Sequence, residues 1–86
     1  MTSLKTLRPA FIAVAEEIDR AVFKWPGWPD DPVHGAAVVA EEAGEAVQAA
    51  LDIVYGGKRT KDDLLRELTH TAGTAIRMID YLQRRG

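Results

Sequence analysis

Apolar side chains recur at three- and four-residue steps in three stretches of the chain, and that spacing predicts three amphipathic helices. The first stretch holds Leu4, Leu7, Phe11, Val14, Ala15, Ile18 and Val22. It runs from Leu4 or Pro9 to Lys24, and Pro9 belongs in its first turn, where a missing N–H leaves no bond unmade. The second runs from Pro32 to about Tyr55, behind Asp31 as N-cap and with Pro32 at the first helical position. Ala36, Ala37, Ala40, Ala43, Gly44, Ala46, Ala49 and Ala50 crowd it. Small side chains let helix axes approach closely, so this helix is expected at the centre, contacted on several sides. The third begins after Thr60, a good N-cap, with Asp62 and Asp63 at the positive end of the helix dipole and Arg84 and Arg85 at the negative end. Its stripe is Leu64, Leu65, Leu68, Ala72, Ala75, Ile76, Ile79 and Leu82.

Two breaks separate these stretches. The segment Trp25-Pro26-Gly27-Trp28-Pro29-Asp30-Asp31-Pro32 holds three prolines and a glycine, which forbid a continuous helix. Gly56-Gly57, followed by Lys58-Arg59, reads as a helix stop. Nothing reads as a strand. The expected fold is all-α: a single domain spanning 1–86, a three-helix antiparallel protomer. Its apolar faces are broad enough to predict a second subunit completing a helical bundle, as a homodimer or homotetramer.

Composition narrows the possibilities. A chain of 86 residues buries a modest core, and such domains often lean on disulfides, metals or assembly. There are no cysteines, which removes disulfides and thiolate chemistry and fits a reducing cytoplasm. The net charge of −2 and the absence of a basic block predict no stable nucleic-acid binding. The apolar-rich run from Val33 to Val54 carries four acidic residues, too many for a membrane span. A cytoplasmic location is expected.

The charged positions hold the chemistry. In Glu41-Glu42-Ala43-Gly44-Glu45, Glu42 and Glu45 stand one turn apart and about 60° around the helix, so both carboxylates can reach one point. Glu67 and His70 repeat that three-residue spacing on the third helix. Two such pairs on facing helices match the way helical bundles hold divalent ions. Solvated faces are also rich in glutamate, and that reading suits Glu41. It suits Glu42 and Glu45 less, because Val38, Val39, Ala43, Ala46, Ala49 and Ile53 flank them, and a carboxylate beside apolar surface needs a partner. His70 by itself is equally consistent with a hydrogen-bonded helix histidine. Oxygen-rich ligand sets suit magnesium, with manganese as the tolerant alternative.

Glu42-Ala43-Gly44-Glu45 and, after the turn, Glu67-Leu68-Thr69-His70 resemble the E-E-x-x-E … E-x-x-D pattern of the MazG-like nucleotide pyrophosphohydrolases. The wider stretch WPGWPDDPVHGAAVVAEEAGEAVQAALD resembles short phage and bacterial members, and the similarity covers roughly Lys24 to Leu82. The resemblance implies an all-α dimer or tetramer that hydrolyses nucleoside triphosphates to a monophosphate and pyrophosphate. It implies Glu42, Glu45, Glu67 and His70 as the metal positions. Glu41 would be the neighbouring catalytic carboxylate, holding a second ion or the attacking water. His70 departs from the pattern, which has aspartate there. An imidazole removes a negative charge and favours softer ions, which implies a manganese-preferring enzyme, weaker magnesium binding rescued by Glu41, or a member that has lost hydrolysis.

Other residues are candidates for substrate contact. Trp25 and Trp28 either stack on a base or cap the core of a small protein. His34 lies seven and eleven residues before Glu41 and Glu45, sharing their helix face, and either meets substrate or is a partly exposed helix-start residue. Lys24, Lys58 and Arg59 either neutralise a triphosphate or are solvated loop charges. No Walker loop or glycine-rich phosphate cradle is present, so a metal and these cations would carry phosphate binding. The alternative function is a non-catalytic helical module that binds nucleotide or a protein partner through a degenerate metal site. A structural dimer with acidic pairs meeting basic residues across subunits is a third.

Overall fold

The computed structural model describes residues 3–85. The described chain folds into α1 (Arg8–Lys24), α2 (Pro32–Tyr55) and α3 (Lys61–Arg85), with no strand among the described residues. The helix ends follow local chemistry. Pro9 sits in the first turn of α1. Asp31 Oδ1 accepts the Val33 N–H at 2.9 Å to cap α2, with Pro32 beginning the helix. Gly56 closes α2 at φ +82°, a left-handed conformation that costs a glycine little. At the start of α3, Asp63 Oδ2 accepts the Thr60 N–H at 2.7 Å and Thr60 Oγ1 accepts the Asp63 N–H at 3.4 Å, a reciprocal cap.

α2 and α3 form an antiparallel hairpin whose seam is built from small residues. Ala46 and Ala49 are buried there, and Gly35 is buried where a Cβ would stand 2.9 Å from Trp28 Nε1 and 3.5 Å from Met78 Cε. α1 crosses α3 at Gly73, where a Cβ would meet Ile18 Cγ1 at 3.5 Å. α3 packs against both other helices, whereas α1 and α2 do not meet. The central helix is therefore α3, not the alanine-rich α2. Small residues permit close approach, but one chain supplies only one neighbour for α2.

The Trp25–Pro29 loop is tied to α3 as well as to α1, whose Ala21 carbonyl accepts the Trp25 N–H at 2.7 Å. Arg77 Nη2 donates to the carbonyls of Trp25 at 2.6 Å and Gly27 at 3.1 Å. Tyr81 donates to Asp30 Oδ1 at 2.5 Å, and Arg85 adds a contact to the same oxygen at 3.3 Å. The chain is elongated, with a radius of gyration of 14.3 Å, against about 12 Å for a compact chain of this length. Its accessible surface is 6622 Å², where a compact monomer exposes roughly 5,000 Å². Much of that surface is apolar: Phe11, Ile12, Val47, Val54, Leu65 and Ile79 are all exposed, and Phe23 is 93% exposed. No helix among the described residues is long and apolar enough to cross a membrane.

Candidate metal centre and adjoining cavity

Three of the four expected ligands converge. One oxygen each from Glu42 on α2 and Glu67 on α3, with one ring nitrogen of His70, lie within 4.8 Å of one another. His70 Nδ1 stands 3.5 Å from both Glu42 Oε2 and Glu67 Oε1. The antiparallel hairpin makes this meeting possible by bringing the middle of α2 beside the middle of α3. Glu67 is held in place with its side chain only 12% exposed. Glu42 Oε2 is buried without a hydrogen-bond partner. An unpartnered carboxylate oxygen is costly, and a cation held by Glu42, Glu67 and His70 would satisfy it. Two carboxylate oxygens and an imidazole nitrogen fit a divalent ion that accepts mixed oxygen and nitrogen donors.

The electrostatics point the same way. Burial pushes the Glu42 carboxyl above the usual carboxylate range, with Glu45, Glu41 and Glu17 adding to the rise and His70 opposing it. Glu45 is raised first by a hydrogen bond shared with Glu67 and then by the charge on Glu67. Negative charge is thus in excess around Glu42 and Glu67.

Glu45 falls outside the three-residue ligand group. It stands three residues, about 4.5 Å, further along α2 than Glu42, and its carboxyl is exposed. Glu41 is exposed beside the cluster. A fourth side chain, Glu17 of α1, joins from the other direction: its Oε2 lies 3.5 Å from His70 Nε2.

A cavity of about 540 Å³ opens against this cluster. Glu42 and His70 are among its lining residues, together with Lys24, Trp25, Trp28 and Arg77, and with Gly73 on α3. Lys24 Nζ lies 5.9 Å over the Trp25 ring and the Arg77 guanidinium 5.4 Å over Trp28, within the range of cation–π attraction. Trp28 is half-buried against the start of α2, whereas Trp25 is 65% exposed at the rim. Lys24, Trp25 and Trp28 are thus brought to the cavity. His34, Lys58 and Arg59 are exposed and do not line it. His34 begins α2 on its outer side. Lys58 and Arg59 sit at the α2–α3 turn, where the Arg59 N–H bonds Asp52 Oδ2 at 3.1 Å, about 15 Å along the helix axis from Glu42, and the Arg59 charge opposes the rise at Glu45.

Glu17, Arg20 and Arg77 line the cavity too, and sequence reasoning passed over them. A signal was present. Glu17 follows Val14 by three residues and precedes Ala21 by four, which puts it on the inward stripe of α1, and Arg77 follows His70 by seven on α3.

No protein-family model matches the chain, and no curated protein or solved structure is significantly similar to it.

Proposed function

We propose that the chain is a divalent-metal-dependent nucleoside triphosphate pyrophosphohydrolase of the MazG-like kind, working in the cytoplasm as a homo-oligomer. The observation that carries this reading is the juxtaposition of the Glu42–Glu67–His70 group with a cavity lined by Trp25, Trp28 and Lys24. A ligand with an aromatic end and a polyanionic end fits that combination.

Magnesium or manganese, when bound, supplies positive charge against the phosphate oxygens and makes water a better nucleophile. The chain's own residues do the remainder. Trp28, fixed by Arg77, and Trp25 at the rim offer aromatic faces to a base. Lys24 offsets phosphate charge. Water attacks a phosphorus of the α–β linkage, its oxygen bonds to phosphorus, the bridging P–O bond breaks, and its proton passes to a carboxylate. Glu41 is assigned that proton on the family resemblance, and its exposed position lets it exchange protons with solvent. Glu45, whose carboxyl is raised by Glu67, adds negative charge beside that carboxylate.

The assembly is supported by excess surface. The difference between 6622 Å² and the roughly 5,000 Å² of a compact monomer is about what each subunit buries in an obligate dimer. A shallow groove lined by Ala43, Ala46, Val47, Leu64 and Leu68 is the face offered to the second copy.

Release of pyrophosphate from a panel of triphosphates, with magnesium and with manganese, tests the enzyme reading. Absence of turnover at high protein concentration overturns it. A second reading, a non-catalytic nucleotide-binding module, draws on His70 in a position where the family pattern has aspartate. A manganese-induced thermal shift without turnover would favour it. Under the enzyme reading, His70→Asp strengthens the response to magnesium.

A further inference from the structure

We propose that Glu17 is a positioning residue for the metal centre: its carboxylate accepts the Nε2–H of His70, turning the unprotonated Nδ1 toward the ion held with Glu42 and Glu67. This rests on the metal-centre reading above and adds to it a residue from α1.

The ring of His70 sorts its neighbours by edge. Nε2 faces one carboxylate, with Glu17 Oε2 at 3.5 Å, whereas Nδ1 faces two, with Glu42 Oε2 and Glu67 Oε1 each at 3.5 Å. A neutral imidazole has one N–H and one lone pair. The edge with two convergent ligand oxygens is where an ion is shared, and the edge with one carboxylate is where the proton is held. A contraction of about 0.5 Å brings the Glu17 contact to ordinary hydrogen-bond length.

Glu17 is braced for this role. Arg20 donates to Glu17 Oε1 from Nη2 at 2.6 Å and from Nε at 3.1 Å, which leaves Oε2 for His70. The Glu17 side chain is only 15% exposed. Its stem lies over Gly73 of α3, where an added Cβ would stand in ordinary contact, 3.8 Å from Glu17 Cγ. A carboxylate behind a ligating histidine fixes the tautomer and raises ligand basicity, and its loss typically costs about 10–100-fold in metal affinity.

Two measurements on the full chain test this. In imidazole NMR of nitrogen-labelled protein loaded with zinc as the diamagnetic probe, His70 keeps its proton on Nε2 and Nδ1 shows the metal-induced shift. His34→Asn separates the signals of the chain's two histidines. Coordination through Nε2, or a His70 signal unmoved by zinc, overturns the proposal. In calorimetry with manganese, Glu17→Ala binds about 10–100-fold more weakly. Glu17→Gln, whose amide oxygen accepts the same bond, stays within a few-fold of the parent. Wild-type affinity in a Glu17→Ala chain shown to be helical by circular dichroism removes the role of Glu17 alone. Failure of the unaltered chain to bind zinc or manganese removes the metal centre and this proposal together.

Discussion

Beside Glu42 and His70, the α2–α3 hairpin is covered by α1 and the Trp25–Pro29 loop, which enclose polar and aromatic groups. Nearer the α2–α3 turn, Ala43, Ala46, Val47, Leu64 and Leu68 line a groove that neither α1 nor the loop covers. The two regions share helices yet obey different rules. In the covered region the chain withdraws charges from water and leaves one oxygen, Glu42 Oε2, unsatisfied, a local cost that a ligand removes. In the open region no charge is sequestered and the one polar lining side chain, Thr71, is satisfied by the Glu67 carbonyl at 2.7 Å, so the free energy still to be gained comes from apolar area, about 25 cal/mol per Å². Under the proposed function, one region awaits an ion and a substrate, the other a second copy.

The largest expected effect comes from Glu67→Gln. It removes a ligand outright, so pyrophosphate release should fall by more than the roughly 100-fold upper limit for losing a mere supporting group. Manganese should then cease to raise the melting temperature. Hydrolysis at the parental rate would detach the activity from the covered region. Next comes Leu68→Glu in the open groove. A charge buried without a partner costs about 3–5 kcal/mol, so the assembly should dissociate, seen by sedimentation as a shift to the monomer. If the variant and the parent sediment alike as oligomers, the second copy docks elsewhere.

Two smaller effects separate scaffold from site. Arg77→Ala deletes the donor to the Trp25 and Gly27 carbonyls and should lower stability by about 2 kcal/mol in urea denaturation. Manganese binding should survive, because Arg77 braces the loop and touches no ligand. Smallest is the pH dependence of the chelator-treated protein. Glu42 and Glu45 are raised above 4.5, so the folded state holds more protons than the unfolded chain there. Stability is therefore fully present below about pH 4.5 and falls as pH climbs through the raised values. Asp63, lowered below 3.8 chiefly by its hydrogen bond from the Thr60 N–H, acts only at more acid pH and with the opposite sign. The melting temperature should fall as pH climbs above about 4.5, and manganese should flatten the slope. A flat profile without manganese would mean that Glu42 and Glu45 are not strained.

Helix boundaries were legible because they depend on neighbours in sequence. Asp31-Pro32, Gly56 and Thr60 with Asp63 punctuate the chain by local hydrogen bonds and backbone preference, and all sit where those rules put them. Glu42, Glu67 and His70 were legible for a related reason: three-residue spacing plus one hairpin brings them together. Glu45 shows where spacing stops being enough. It satisfies the same periodicity as Glu42, but its position along α2 leaves it outside the group that Glu42 forms with Glu67 and His70. Position along the axis also separates Lys58 and Arg59 from Lys24, although charge alone makes them equivalent. The place of α3 at the centre depends on which neighbour α1 selects, and helical periodicity carries no signal for that choice. Glu17 becomes visible only once α1 is laid across Gly73.

The loop clamp has one more consequence, for observation rather than for catalysis. The chain holds two tryptophans, three residues apart, and the Arg77 clamp places them in different optical environments. Trp28 lies half-buried under a guanidinium, and Trp25 stands at the rim, 65% exposed. A soluble quencher reaches Trp25 first, so a molecule entering the cavity shields that emission while leaving Trp28 to report on whether the clamp itself has opened. The protein carries its own pair of fluorophores, one for occupancy and one for integrity.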